Sequence, residues 1–133
     1  MKIYNNANLV KKHCNGVLAI GNFDGIHLGH QKVIKEAKSK AKKNNLPFGV
    51  MTFEPMPVMF FNKIIENHRI NSLEQKKSQF NKLKIDFLII IKFTKKFSRL
   101  TAEKFIEKII FKKTKCKYLY VSKNFKFGNK RKG

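Results

Sequence analysis

His27 and His30 stand three residues apart within the string Gly21-Asn22-Phe23-Asp24-Gly25-Ile26-His27-Leu28-Gly29-His30. A spacing of three puts two side chains on one face of a starting helix. The N-terminus of a helix offers free backbone N–H groups and a partial positive charge, both suited to phosphate. Two imidazoles placed there can donate hydrogen bonds to a triphosphate. They can also stabilise charge that builds during attack on phosphorus. Gly21, Gly25 and Gly29 permit tight turns and close backbone approach, and Asp24 can orient a histidine or cap the helix. Two other readings compete. One is a surface loop that happens to hold two histidines. The other is a zinc pair, for which no third ligand of metal-site spacing follows.

Such a loop needs a strand before it and a helix after it, and the pattern supplies both. Val17 to Ile20 reads as a short buried strand. From Leu28 to Lys43 the periodicity is helical, with Val33, Ile34, Ala37 and Ala41 on one face and lysines on the other. Asn44, Asn45 and Pro47 end that helix. Phe48 to Phe53 reads as a second strand, and the run Glu54-Pro55-Met56-Pro57 must then leave regular structure. Asn71 with Glu74 forms a capping-box pattern, opening a helix whose stripe is Leu73, Phe80 and Leu83. Phe87 to Phe93 is the strongest strand, and its unbroken apolar character suits a sheet covered on both faces. Thr101 can cap a helix that turns Phe105, Ile106, Ile109 and Ile110 inward. Tyr118 to Val121 is a fourth strand. Strands alternating with helices predict a parallel α/β sheet. Ligands in such sheets sit at the carboxyl ends of the strands, where the loops after Ile20, Phe53 and Val121 open.

Composition narrows the function class. A chain of 133 residues is at most one ordinary domain, and 42% hydrophobic residues suffice for a packed core. The longest purely apolar run, Phe87 to Ile91, is far short of a membrane span. The N-terminal MKIYNNANLVKKH lacks the apolar stretch of a signal peptide. These features predict a cytoplasmic protein with no membrane partner. Cys14 and Cys116 show no metal-ligand spacing and read as reduced thiols. The formal net charge of +22 invites a nucleic-acid reading. Of the 30 basic residues, however, all but Arg69, Arg99 and Arg131 are lysine. Arginine is the preferred residue for forked phosphate and base contacts. The lysines are also scattered along the chain, which argues for a solvated surface whose field attracts small anionic ligands.

Gly25 to His30 resembles the HxGH signature of the nucleotidyltransferase superfamily, and the full GNFDGIHLGH resembles the prokaryotic bifunctional riboflavin kinase/FMN adenylyltransferase family in particular. Further segments agree in order and spacing. Thr52 to Pro57 is similar to that family's TFEPHP, Arg69 to Lys76 to its RLTSLxEK, and Asn124 to Gly133 to its (D/N)FxFGxxRxG loop. Phe97-Ser98 with Leu100, Thr101, Ala102, Glu103 and Phe105 matches its F…LSAExF segment. The resemblance spans about residues 16 to 133.

The resemblance implies a Rossmann-like parallel sheet flanked by helices, C-terminally incomplete. Residues 1–133 would form a partial FMN adenylyltransferase domain, with the riboflavin kinase domain absent. The family's ISSTxIR-type phosphate motif would also be missing, which predicts impaired turnover. The implied reaction transfers AMP from ATP to FMN, giving FAD and pyrophosphate. Carried over, His27 and His30 are the catalytic pair. The ATP site comprises Gly21, Asn22, Phe23, Asp24, Gly25, His27, Gly29 and His30. The flavin site comprises Asn124, Phe125, Phe127 and Arg131, with Lys126 beside the FMN phosphate. Magnesium would accompany ATP, held largely by phosphates and water, with no dedicated metal ligands in the chain. The family's histidine in TFEPHP is Met56 here. Its glycine after Val121 is Ser122, and one in the final loop is Lys130. A cytidylyltransferase-like enzyme and a non-catalytic nucleotide- or nucleic-acid-binding fragment are the alternatives.

Overall fold

The structure, a computed structural model, describes residues 1–23, 28–54, 73–92 and 94–122, with backbone alone at Leu28, Gly29, His30, Leu73, Lys96 and Ser98. Its strands are β1 (Lys2–Tyr4), β2 (Val17–Ile20), β3 (Phe48–Glu54), β4 (Phe87–Lys92) and β5 (Tyr118–Val121). Its helices are α1 (Leu28–Lys43), α2 (Leu73–Lys82), the single turn α3 (Lys95–Ser98) and α4 (Ala102–Phe105). The last of these runs on with wider, π-type turns through Ile106–Thr114.

All strand pairs are parallel, in the order β1-β4-β3-β2-β5. The chain steps from β2 outward through β3 to β4, then returns to the other side of β2 for β5. The direction of winding therefore reverses between β2 and β5, which is the topological switch point where open α/β sheets bind ligands.

Strand periodicity of two divides the core into two layers. Leu18 and Ile20 of β2, Met51 and Phe53 of β3, and Phe87, Ile89 and Ile91 of β4 face Phe105 and Ile110. Val17, Ala19, Phe48, Val50, Leu88 and Ile90 face Ile34, Ala37 and Ala41 of α1 and Phe80 of α2. Every residue of β2, and all of β4 but Lys92, is buried. That double-sided burial is why these strands are apolar without alternation.

Local signals end the helices. After α1, Asn45 adopts φ 56°. The Leu46 N–H reaches the Ala41 carbonyl at 2.8 Å and the Asn45 N–H reaches that of Lys42 at 3.2 Å, the two bonds of a Schellman ending. Thr101 is extended, and its Oγ1 accepts from the Lys104 N–H at 3.2 Å, so it caps α4 as the sequence predicts. Gly49 has a packing reason. A Cβ there would lie 2.1 Å from Cε2 of Phe87, whose ring covers the glycine.

Two features depart from the sequence reading. The N-terminal stretch, for which the sequence predicts no element, contributes β1, whose Lys2 pairs with Phe87. It is an edge strand of three residues in which only Tyr4 is buried, too short for any periodicity to register. It is held by an aromatic cluster. Tyr4 Oη lies 2.7 Å from His13 Nδ1, and the His13 ring stacks on Phe87 with centroids 4.7 Å apart. Glu54, expected to leave regular structure with the prolines, is instead the last residue of β3 and pairs with Lys92. Pro55, Met56, Pro57, Asn71 and Phe93 lie outside the described residues.

Candidate functional site

The carboxyl ends of β2, β3 and β5 meet at one edge of the sheet. Immediately after Ile20, Gly21 crosses against the end of β5. The Ser122 N–H donates to the Ile20 carbonyl at 2.8 Å, and a Cβ on Gly21 would stand 2.6 Å from Cβ of Ser122. Only a residue without a side chain fits there. The glycine of the motif is thus a requirement of two neighbouring strands meeting at the switch point.

Phe23 follows with φ 51°, a left-handed conformation costly for a residue with a Cβ. Three contacts hold it. Its ring is 0% exposed and meets Phe80 of α2 edge-on, with centroids 5.6 Å apart. The carbonyl of the preceding residue, Asn22, accepts two hydrogen bonds, from Thr52 Oγ1 at 3.0 Å and from Lys76 Nζ at 2.7 Å. Strain of this kind, of order 1–3 kcal/mol, persists only where surrounding packing over-determines it, and it clusters at functional sites.

Asn22 carries a second signal. Its Oδ1 is buried and has no hydrogen-bond partner among the described residues. An unsatisfied buried acceptor costs about 1–3 kcal/mol, so this atom calls for a donor.

The predicted site residues therefore divide. Gly21, Asn22 and Phe23 are brought together beside Thr52 and Ser122. Gly29 and His30 lie in the first turn of α1, which opens at Leu28, the strand-to-helix junction predicted from the sequence. The Phe23 ring is fully buried and supports the loop from within the core. Asp24, Gly25, His27, Asn124, Phe125, Lys126, Phe127, Lys130 and Arg131 lie outside the described residues. The segments that carry them leave from the adjacent ends of β2 and β5.

Two residues of this edge were not among the predicted site residues. Thr52 was noted only as the first residue of the TFEPHP-like segment, and Lys76 only as the last of the RLTSLxEK-like one. Lys76 is 0% exposed, and a signal for it existed. It lies three residues after Leu73 and four before Phe80, on the inward stripe of α2, where a lysine is out of place.

Cys14 and Cys116 are free thiols, and burial pushes the Cys116 thiol above its ordinary pKa, keeping it protonated. Among the described residues no helix is long and apolar enough to cross a membrane.

Comparison with known proteins agrees with the geometry. The FAD synthetase family profile matches residues 9–133. A bifunctional riboflavin kinase/FMN adenylyltransferase of Buchnera aphidicola (subspecies Schizaphis graminum) is 40% identical over 126 residues, covering 95% of this chain and 40% of that protein. One from Haemophilus influenzae is 40% identical over 128 residues, covering 96% and 41%. One from Escherichia coli K12 is 36% identical over 117 residues, covering 88% and 37%. The chain thus spans about two fifths of the length of the curated relatives it matches. A solved structure described as a macrolide-efflux protein from Streptococcus pneumoniae superposes with a TM-score of 0.76 at 25% identity, over 97% of this chain and 43% of that one.

Proposed function

Since the chain belongs to the FAD synthetase family, we propose that it carries the adenylyl-transfer half of that chemistry: FMN attacks the α-phosphorus of ATP, giving FAD and pyrophosphate. The observation that carries this reading is the crossing of Gly21 and Ser122 at the switch point. It joins the carboxyl ends of β2 and β5, from which the chain continues in sequence toward the histidine motif and the (D/N)FxFG-like segment, and this supports binding of nucleotide and flavin side by side.

The nucleophile is a phosphate oxygen that is already an anion, so no general base is needed. Catalysis rests on alignment and charge neutralisation. His27 and His30, with the N–H groups opening α1, hold the phosphates and the charge that builds on them. Gly21, Asn22, Asp24, Gly25 and Gly29 shape the nucleotide side, with Phe23 beneath. On the flavin side, Asn124, Phe125 and Phe127 meet the isoalloxazine, the rings by stacking. Arg131 and Lys126 meet its phosphate. The lysine-rich surface draws both anions toward the site, and dependence on ATP places the protein in the cytoplasm. Magnesium arrives with ATP. Among the described residues no three His, Cys, Asp or Glu side chains group to hold it.

Calorimetry with ATP and FMN, together with chromatographic detection of FAD, tests the proposal. Saturable binding of both ligands is expected, and His30→Ala should abolish FAD formation. Unchanged turnover in that variant refutes the assigned role. A preference for CTP would indicate a cytidylyltransferase, and salt-sensitive nucleic-acid binding alone would indicate a non-catalytic fragment.

A further inference from the structure

We infer that Lys76, with Thr52, is a positioning residue for the nucleotide loop: the two side chains pin the Asn22 carbonyl and so fix the backbone from which the histidine segment departs. This rests on the adenylyl-transfer reading and deepens it.

A lysine on an inward stripe is expensive. Taking an ammonium out of water costs several kcal/mol unless strong partners compensate. Lys76 is nonetheless 0% exposed, and its Nζ donates to the Asn22 carbonyl at 2.7 Å, the short distance of a charge-assisted bond. Thr52 is also 0% exposed and donates to the same oxygen at 3.0 Å. The two donors come from different elements, α2 and β3, so the carbonyl is fixed from two directions.

That carbonyl belongs to the peptide unit joining Asn22 to Phe23, next to the left-handed φ of 51° at Phe23. Turning the peptide to relieve the strain would break both bonds at once. Phe80, one helical turn beyond Lys76 on the same stripe of α2, holds the Phe23 ring. Helix α2 thus grips the loop twice, by a charge at the carbonyl and a ring at the side chain. Neither Lys76 nor Thr52 need touch a ligand. Their contribution is to present the loop already shaped, which lowers the ordering cost of binding.

The test uses the full chain and four measurements: thermal melting, ATP affinity, FMN affinity and hydrogen exchange. Lys76→Met and Thr52→Val are near-isosteric and each remove one donor, while Thr52→Ser keeps the hydroxyl. Well below their melting temperatures, Lys76→Met and Thr52→Val should each weaken ATP binding about tenfold or more. Thr52→Ser should stay within about twofold of the parent, and FMN affinity measured without ATP should change little in all three. A purely structural role would lower melting temperature and leave ATP affinity untouched in the folded chain; that outcome overturns the inference. Should Lys76→Met fail to fold, the comparison of Thr52→Val with Thr52→Ser decides it alone. If the parent chain binds no ATP, the adenylyl-transfer reading fails instead. Exchange at the backbone amides of Asn22 and Phe23, faster in Lys76→Met and Thr52→Val than in the parent, then still shows the pin, and equal exchange overturns it.

Discussion

Replacing Gly21 with alanine isolates the packing demand at the switch point. The backbone of Gly21 is not left-handed, so alanine introduces no conformational penalty of its own, and the test is one of space. The new Cβ would stand 2.6 Å from Cβ of Ser122, 2.9 Å from Cζ of Phe23 and 3.1 Å from Cε2 of the same ring. None of these is the free end of a flexible side chain. The Ser122 Cβ is fixed to a backbone whose N–H bonds Ile20, and the Phe23 ring is fully buried. Relief must come from moving β5 away from β2 or tilting Phe23 against Phe80. Overpacking of this kind costs about 1–3 kcal/mol. With a urea m-value of about 2 kcal/mol/M, the midpoint should fall by about 0.5–1.5 M. Adding Ser122→Gly removes the shortest of the contacts, so the double variant should recover roughly half of the loss, a coupling typical of residues in contact. ATP binding should weaken in the single variant, because the loop departs from the displaced strand end. A midpoint unchanged by Gly21→Ala, or no recovery on adding Ser122→Gly, would show that this crossing is not tight.

Three other perturbations probe the supporting frame. Gly49→Ala should destabilise by about 1–3 kcal/mol in urea melts, because its Cβ would meet the Phe87 ring at 2.1 Å. Thr101→Ala removes the bond to the Lys104 N–H and should cost about 1 kcal/mol in the same assay. Burial, with Lys12 second, lowers the His13 pKa, and Asp86 only partly opposes the shift. The folded chain therefore binds fewer protons than the unfolded one. The contribution is complete above the unfolded value of about 6.5 and is lost as pH falls below it and through the folded pKa. Replacing His13 with Phe, which keeps a ring on Phe87, should flatten urea midpoints compared at about pH 5 and pH 7.5.

Much of the fold was legible because burial wrote it into the sequence. The strand at Val17–Ile20 and the helix at Leu28–Lys43 have the bounds their patterns predict. The α1 stripe of Ile34, Ala37 and Ala41 packs where expected. The strand announces itself as an unbroken apolar run, and the helix by an apolar residue on the same face at every turn. β1 was illegible for the opposite reason. Three residues at an edge bury one side chain, and what keeps them in place is distant in sequence: a tyrosine hydroxyl, a histidine ring and Phe87. The strand order is likewise absent from any local pattern. It follows from the return of the chain to β2 after β4, which alternation of strands and helices permits but does not dictate.

The candidate site was signalled by one class of residue and supported by another that the sequence did not mark. Glycine, histidine and proline at fixed spacing announce themselves because they are unusual where they stand, and Gly21 proves unusual for a reason the sequence could not state, the crossing of β5. The residues that hold the loop look ordinary. Thr52 is a typical strand residue, and Lys76 is one lysine in a chain rich in them. Yet a lysine at an inward position pays a desolvation cost that composition does not explain, and the same holds for a phenylalanine at φ 51°. Both costs converge on the peptide after Asn22. When independent penalties are borne at a single peptide group, the geometry of that group is what the fold is maintaining, and its place at the mouth of the switch point supports the proposed nucleotide-binding role.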